Sequence, residues 1–191
     1  MDKKKYQIIL ADPPWQFKNY NDDTATNWAG KHYNLMTLED IKNLPIKNIS
    51  DESCVLFLWA TFPILPKAFQ VVNAWGFTYK TVAFTWVKQD KLGMCICLGM
   101  GYWTRSNAEV CLLATKGNPK RMNADIRQIV LSPRQEHSQK PSEVRERIVR
   151  LLGDLPRIEL FARRKVDGWD SIGFDIDGCD IRESLDKLVT L

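Results

Sequence analysis

An α/β fold, a single sheet with helices on both faces, is what this sequence predicts. Three observations carry that expectation. Short apolar or β-branched runs alternate with segments of helical periodicity along the chain. The 191 residues suffice for one domain with a full hydrophobic core, so residues 1–191 read as a single domain without repeats. The composition, 45% hydrophobic and 26% charged, is that of an ordinary globular protein.

The elements follow in order. Tyr6–Ala11 is a short buried strand, closed by Asp12, Pro13, Pro14 and Trp15. Thr37, followed by Leu38, Glu39 and Asp40, supplies a hydroxyl cap and first-turn acids for a helix. Residues 55–60 form a second strand, and residues 63–75 a helix that opens on Pro63 and ends before Gly76. Residues 77–88 are rich in Thr, Val, Tyr, Phe and Trp, which favour a strand. Further strands are expected over 108–115 and, more weakly, 126–131. Residues 141–152 read as a helix, with Pro141 in its first turn and an apolar stripe of Val144, Ile148, Leu151 and Leu152. A strand over 157–162 and a last helix over 181–191 complete the set, and residues 16–31 and 89–107 read as loops.

Some classes are disfavoured. The start MDKKKYQIIL lacks the apolar length and cleavage site of a signal peptide, and CVLFLWATFPIL is too short to span a membrane. A cytoplasmic protein without a membrane partner is expected. The five cysteines form no paired framework, and Cys95-Ile96-Cys97 lacks the second ligand pair of a zinc site, so no metal is expected. The net charge is only +4, but thirteen basic residues against six acids lie between Leu113 and Val166, and acids dominate from Asp167 on. A basic middle suits a polyanionic partner; a mixed, solvated surface would look similar.

In open α/β sheets, ligands bind in the crevice beyond the carboxyl ends of the strands. Asp12, Lys88 and Arg163 each lie at or just past such an end, so the fold alone brings them to one rim. Asp-Pro-Pro-Trp there has two readings. One is a stiff turn with a core tryptophan and a solvated aspartate. The other is a site that activates the exocyclic amine of adenine, whose lone pair is delocalised into the ring. The Asp12 carboxylate and the Pro13 carbonyl would accept its two protons and stabilise the charge that develops on nitrogen. Pro13 and Pro14 restrict φ and the residue before each, which holds that acceptor pair rigid. Trp15 would offer a face for the base.

With these residues in hand, the chain is similar to the METTL-like adenine methyltransferases, the MT-A-seventy family. The resemblance runs from Ile8 to about Asp177. It rests on Asp12-Pro13-Pro14-Trp15, Tyr33-Asn34-Leu35-Met36-Thr37, Leu56 to Trp59, Trp86-Val87-Lys88, Lys116 to Pro119, His137-Ser138-Gln139-Lys140-Pro141 and Ile158 to Arg163. It implies transfer of a methyl group from S-adenosylmethionine to N(6) of adenine on a Rossmann-like methyltransferase sheet. The motif order implied is circularly permuted, with the catalytic element N-terminal and the cofactor strand C-terminal. Asp12, Pro13, Pro14 and Trp15 would be catalytic. Asp12, Lys88, Lys140, Phe161, Arg163, Lys165 and Asp175 would contact the cofactor, and Trp15, Tyr33 and Lys88 the target base. Gly173-Phe174-Asp175 replaces a more polar family segment at the cofactor ribose, and Arg164-Lys165-Val166 replaces Pro-His-Asn. Compact members of this kind resemble bacterial and phage enzymes, which implies DNA as substrate ahead of RNA. RNA as substrate, or a non-catalytic nucleic-acid-binding partner subunit of a kind the family includes, is the alternative, and a homo- or heterodimer is compatible with each.

Overall fold

A computed structural model describes residues 4–16, 35–99, 101, 103–134 and 139–190. Seven strands form one sheet: β1 (Tyr6–Ala11), β2 (Ser50–Ala60), β3 (Thr78–Gln89), β4 (Ala108–Lys116), β5 (Ile129–Pro133), β6 (Arg157–Leu160) and β7 (Asp170–Ile172). Their spatial order is β5-β3-β4-β2-β1-β6-β7. β1 pairs in parallel with β2 and β6, β6 with β7, and β3 with β5, whereas β4 runs antiparallel to both β2 and β3. Six strands therefore point one way, and β4 alone starts at the rim where the others end.

Among the described residues there are five α-helices: α1 (Leu38–Lys42), α2 (Leu65–Ala74), α3 (Glu143–Leu152), α4 (Phe174–Asp177) and α5 (Ile181–Thr190). Alternation along the central strands divides the core in two. Ile9, Ala11, Leu56 and Leu58 face a cluster with Ile41 of α1, Val71 and Val72 of α2, and Leu185 of α5. Ile8, Leu10, Val55 and Phe57 face Val144, Ile148 and Leu152 of α3. A strand buried on both faces reads as an unbroken apolar run, as β1 and the second half of β2 do. Helices on both faces of a mostly parallel sheet give the α/β, Rossmann-like architecture expected from the sequence.

Local signals hold with shifted ends. Thr37 caps α1 reciprocally: its hydroxyl accepts from the Asp40 N–H, and the Asp40 carboxylate accepts from the Thr37 N–H. α2 follows a 3₁₀ turn at Phe62–Ile64, and Gly76 takes φ +83° after its last residue. β2 begins five residues earlier than expected, because Ser50, polar in composition, pairs with Tyr6. The weak strand lies at Ile129–Pro133, where Pro133 is tolerated at the end of an edge strand. β6 stops at Leu160, since Phe161 turns into the left-handed region at φ +61°. β7 and α4 are additions the sequence reading did not contain. Burial raises the thiol pKa of Cys54 to about 12, in keeping with its place in an apolar run.

Candidate active site

The site is assembled by register. Ala11 pairs with Leu58 on one side and Leu160 on the other, so Asp12, Trp59 and Phe161 lie side by side at the carboxyl rim of the sheet. Antiparallel β4 enters at this same rim, where Glu109 pairs with Trp86 of β3 and Cys111 with Trp59 of β2. Lys140 arrives from the segment that leads into α3.

These residues form a chain of alternating charge. The Lys140 ammonium lies 2.6 Å from Asp12 Oδ2 and 3.2 Å from Glu109 Oε2. The other oxygen of Glu109 accepts from Lys88. The Lys140 Nζ also sits 5.5 Å from the centre of the Trp59 ring, and the Lys88 Nζ 5.0 Å from that of Trp86. The Lys140 and Glu109 side chains are 11% and 12% exposed, so two buried charges are each satisfied by two opposite ones. Burial acts against the charge of Lys140, but Asp12 and Glu109 outweigh it and raise its pKa above the ordinary lysine value. Burial likewise opposes ionisation of Glu109, and the two lysines overcome it, lowering its pKa.

A pH dependence follows. The lowered Glu109 contributes stability that is complete above its unfolded pKa and is lost as pH falls through the folded value. The raised Lys140 contributes stability that is complete below its unfolded pKa and is lost as pH rises through the folded value. Melting temperature should therefore be flat between about pH 6 and pH 9 and fall on both sides. Thermal melts across pH check this, and Glu109→Gln should make the acid limb shallower.

A cavity of about 540 Å³ opens beside the chain of charges, a size that suits a nucleoside-sized ligand. Leu10, Asp12, Trp59, Lys140, Phe161 and Asp175 are among its walls, together with Arg163 and Arg164. Arg145 of α3 and Glu159 of β6 close one side through a bidentate pair at 2.7 and 2.6 Å. The β6 end is fitted tightly to α4. A Cβ on Gly173 would lie 2.4 Å from the Ala162 carbonyl oxygen and 2.7 Å from its nitrogen, so only glycine lets α4 bring Asp175 to this wall.

Of the residues singled out in the sequence, Asp12, Lys140, Phe161, Arg163 and Asp175 meet around one cavity. Lys88 does not line it and is joined to it through Glu109. Lys165 is exposed and off the cavity wall, because the chain turns at Phe161 and bends at Arg163 and Arg164 before reaching it. Trp15 is not an open plate for a base. It is 6% exposed within the core, and its indole N–H donates to the Trp59 carbonyl at 3.1 Å. The Trp15 N–H donates to the Pro13 carbonyl at 2.8 Å, and the Met36 N–H to that of Pro14 at 3.1 Å. The turn is thus pinned to the core, and the Pro13 carbonyl retains its second lone pair. Tyr33 and His137 lie outside the described residues.

Sequence reasoning missed Glu109, Arg145 and the role of Trp59. A lone acid opening the apolar run AEVCLLATK was the available signal for Glu109, but only the direction of β4 gives it a destination. The basic segment is also partly internal: the side chains of Lys140, Arg145, Arg147 and Arg157 are mostly covered and each is in an ion pair, whereas the Arg150 pair with Asp125 lies on the surface. No described helix is long and apolar enough to cross a membrane.

Comparison with known proteins places this geometry in context. The MT-A70 family model matches residues 6–175. The type II methyltransferase M.MunI of a Mycoplasma species is 32% identical over 92% of this chain and 80% of its own length. The human N(6)-adenosine-methyltransferase catalytic subunit METTL3 is 29% identical over 91% of this chain, and the chain spans only 29% of that protein. An Arabidopsis thaliana MT-A70-like N(6)-adenosine-methyltransferase is 30% identical over 91% of the chain and 24% of its own length.

Proposed function

The chain belongs to the MT-A70 family, and from that premise we propose that it transfers a methyl group from S-adenosylmethionine to the N(6) amine of adenine in DNA. The observation that carries the reading is Asp12: an intact Asp-Pro-Pro-Trp turn, anchored by Trp15, presents its carboxylate to a cavity of cofactor size. DNA is favoured because the type II methyltransferase is matched at 32% identity over 80% of its own length. RNA is the second reading, supported by the several N(6)-adenosine-methyltransferases among the relatives.

The cavity fits S-adenosylmethionine in kind. Its wall offers carboxylates for an ammonium and for ribose hydroxyls, cations for a carboxylate, and Phe161, Leu10 and Val144 for an apolar ring. Lys140, Phe161, Arg163 and Asp175 would hold the cofactor, with Asp12 at the reacting end. When bound, S-adenosylmethionine supplies an electrophilic methyl group on a sulfonium. Asp12 and the Pro13 carbonyl would accept hydrogen bonds from the two amine N–H groups, draw the nitrogen towards tetrahedral geometry and stabilise its developing charge, and the one surplus proton would pass to solvent after transfer. The prolines and the Trp15 anchor keep both acceptors aimed, so alignment supplies much of the rate. A base within a duplex must be flipped out to reach Asp12. In this reading the chain order is permuted, yet the catalytic strand β1 and the cofactor strand β6 lie side by side.

The protein, incubated with S-adenosylmethionine and DNA or RNA, is digested to nucleosides for mass spectrometry. N(6)-methyl-2′-deoxyadenosine is the expected product. A methylated ribonucleoside alone moves the substrate to RNA, and no methylated adenine from either polymer ends the proposal. A second expectation concerns the cavity wall. Gly173→Ala forces α4 away from Ala162, so S-adenosylmethionine should bind about 10-fold more weakly by calorimetry, with about 1–3 kcal/mol lost from folding stability.

A further inference from the structure

We propose that Glu109 is a positioning residue of this site, whose carboxylate receives the Lys140 ammonium when Asp12 must accept the target amine. The inference rests on the reading of Asp12 as that acceptor. The Lys140 Nζ is shared unequally, 2.6 Å from Asp12 and 3.2 Å from Glu109. An ammonium held on Asp12 Oδ2 occupies the oxygen and damps the negative potential that the amine needs. A cationic methyl donor and an amine gaining positive charge both oppose the ammonium at that place. Glu109 is already within reach to take it, and Lys88 on the opposite oxygen keeps the carboxylate from turning away.

The described surroundings favour this exchange. Lys140 is faced by Asp12 beyond β1, by Glu109 and the Cys111 thiol of β4, and by the Trp59 ring of β2. On its own side of the cavity, Arg145 is committed to Glu159. Asp12, Glu109, Lys88 and Lys140 sum to zero charge, so a shift of Lys140 by a fraction of an ångström redistributes charge without creating any. Without the Glu109 charge, Lys140 collapses onto Asp12 and Lys88 loses its carboxylate partner.

The test compares wild type, Glu109→Gln and Glu109→Asp in steady-state methylation across pH, with Lys140 titrated by NMR through ε-carbon-labelled lysine. In Glu109→Gln, kcat should fall about 100-fold, the loss typical of a removed electrostatic group, while KM for cofactor and nucleic acid changes less than about threefold. Its kcat should then recover as pH rises from about 8 to 10, where Lys140 deprotonates and frees Asp12; wild type should show no such rise. Glu109→Asp keeps the charge one carbon further back and should restore kcat to within about tenfold; it also carries the comparison should the glutamine variant melt below the assay temperature. The Lys140 midpoint should fall in Glu109→Gln. A glutamine variant within twofold of wild-type kcat, or a Lys140 midpoint that does not move, overturns the proposal. If wild type itself methylates neither polymer, the proposed function fails, and the NMR titration still decides whether Glu109 holds Lys140.

Discussion

Replacing Asp12 by alanine is expected to lower methyl transfer by at least about 1,000-fold while S-adenosylmethionine binding stays measurable. The carboxylate is the charged half of the acceptor pair, and losing a preorganised group of this type costs 10²–10³ in rate or more. The remaining half, the Pro13 carbonyl, is neutral and already accepts from the Trp15 N–H. The fold should survive, because Lys140 keeps Glu109 as a partner and is not left as an isolated buried cation. The Asp12 side chain is itself 27% exposed, so its removal empties little of the core. Single-turnover methylation and cofactor calorimetry on the same preparation give the comparison. Activity near that of wild type would show that another group activates the amine.

Lys140→Met should damage both stability and catalysis. The methionine fills most of the lysine's space but leaves Asp12 and Glu109 facing each other without the shared cation. Breaking a buried pair by removing one partner costs about 3–5 kcal/mol. The lower figure is appropriate here, since Glu109 keeps Lys88 and Asp12 reaches solvent. A drop of several degrees in melting temperature should accompany weaker cofactor binding, because Lys140 is a wall of the cavity. The two carboxylates should also repel, raising the pH below which kcat declines. Lys140→Arg, which keeps the charge in a larger planar group, should recover stability more than activity. A Lys140→Met protein as stable as wild type would mean that the pairs seen around Lys140 contribute nothing to folding.

The position of Asp12 was legible because the signals that place it are local. Asp12 and its prolines stop a buried strand, and any carboxylate so placed lies at the carboxyl rim of an α/β sheet. The capping residue Thr37, the stripe of α3 and the apolar run of β1 are short-range signals, and each appears in the structure. Side-chain orientation is set by residues far along the chain. Trp15 belongs to a motif that reads as a base platform, yet its indole is drawn into the core by the Trp59 carbonyl, 44 residues away in sequence. Lys165 stands two residues beyond Arg163, but the chain bends at Arg163 and Arg164, so Arg163 lines the cavity and Lys165 does not.

The sequence by itself determined the fold class, the strand that carries Asp12, and the family to which the motifs point. Those depend on periodicity, on turn residues and on short motifs, all properties of neighbours along the chain. Only the tertiary structure decided that Glu109 lies between Lys88 and Lys140. That position depends on β4 running against the other six strands, which brings the start of one strand to the rim where its neighbours end. Strand direction is set by how the whole sheet pairs, and no stretch of a few residues encodes it.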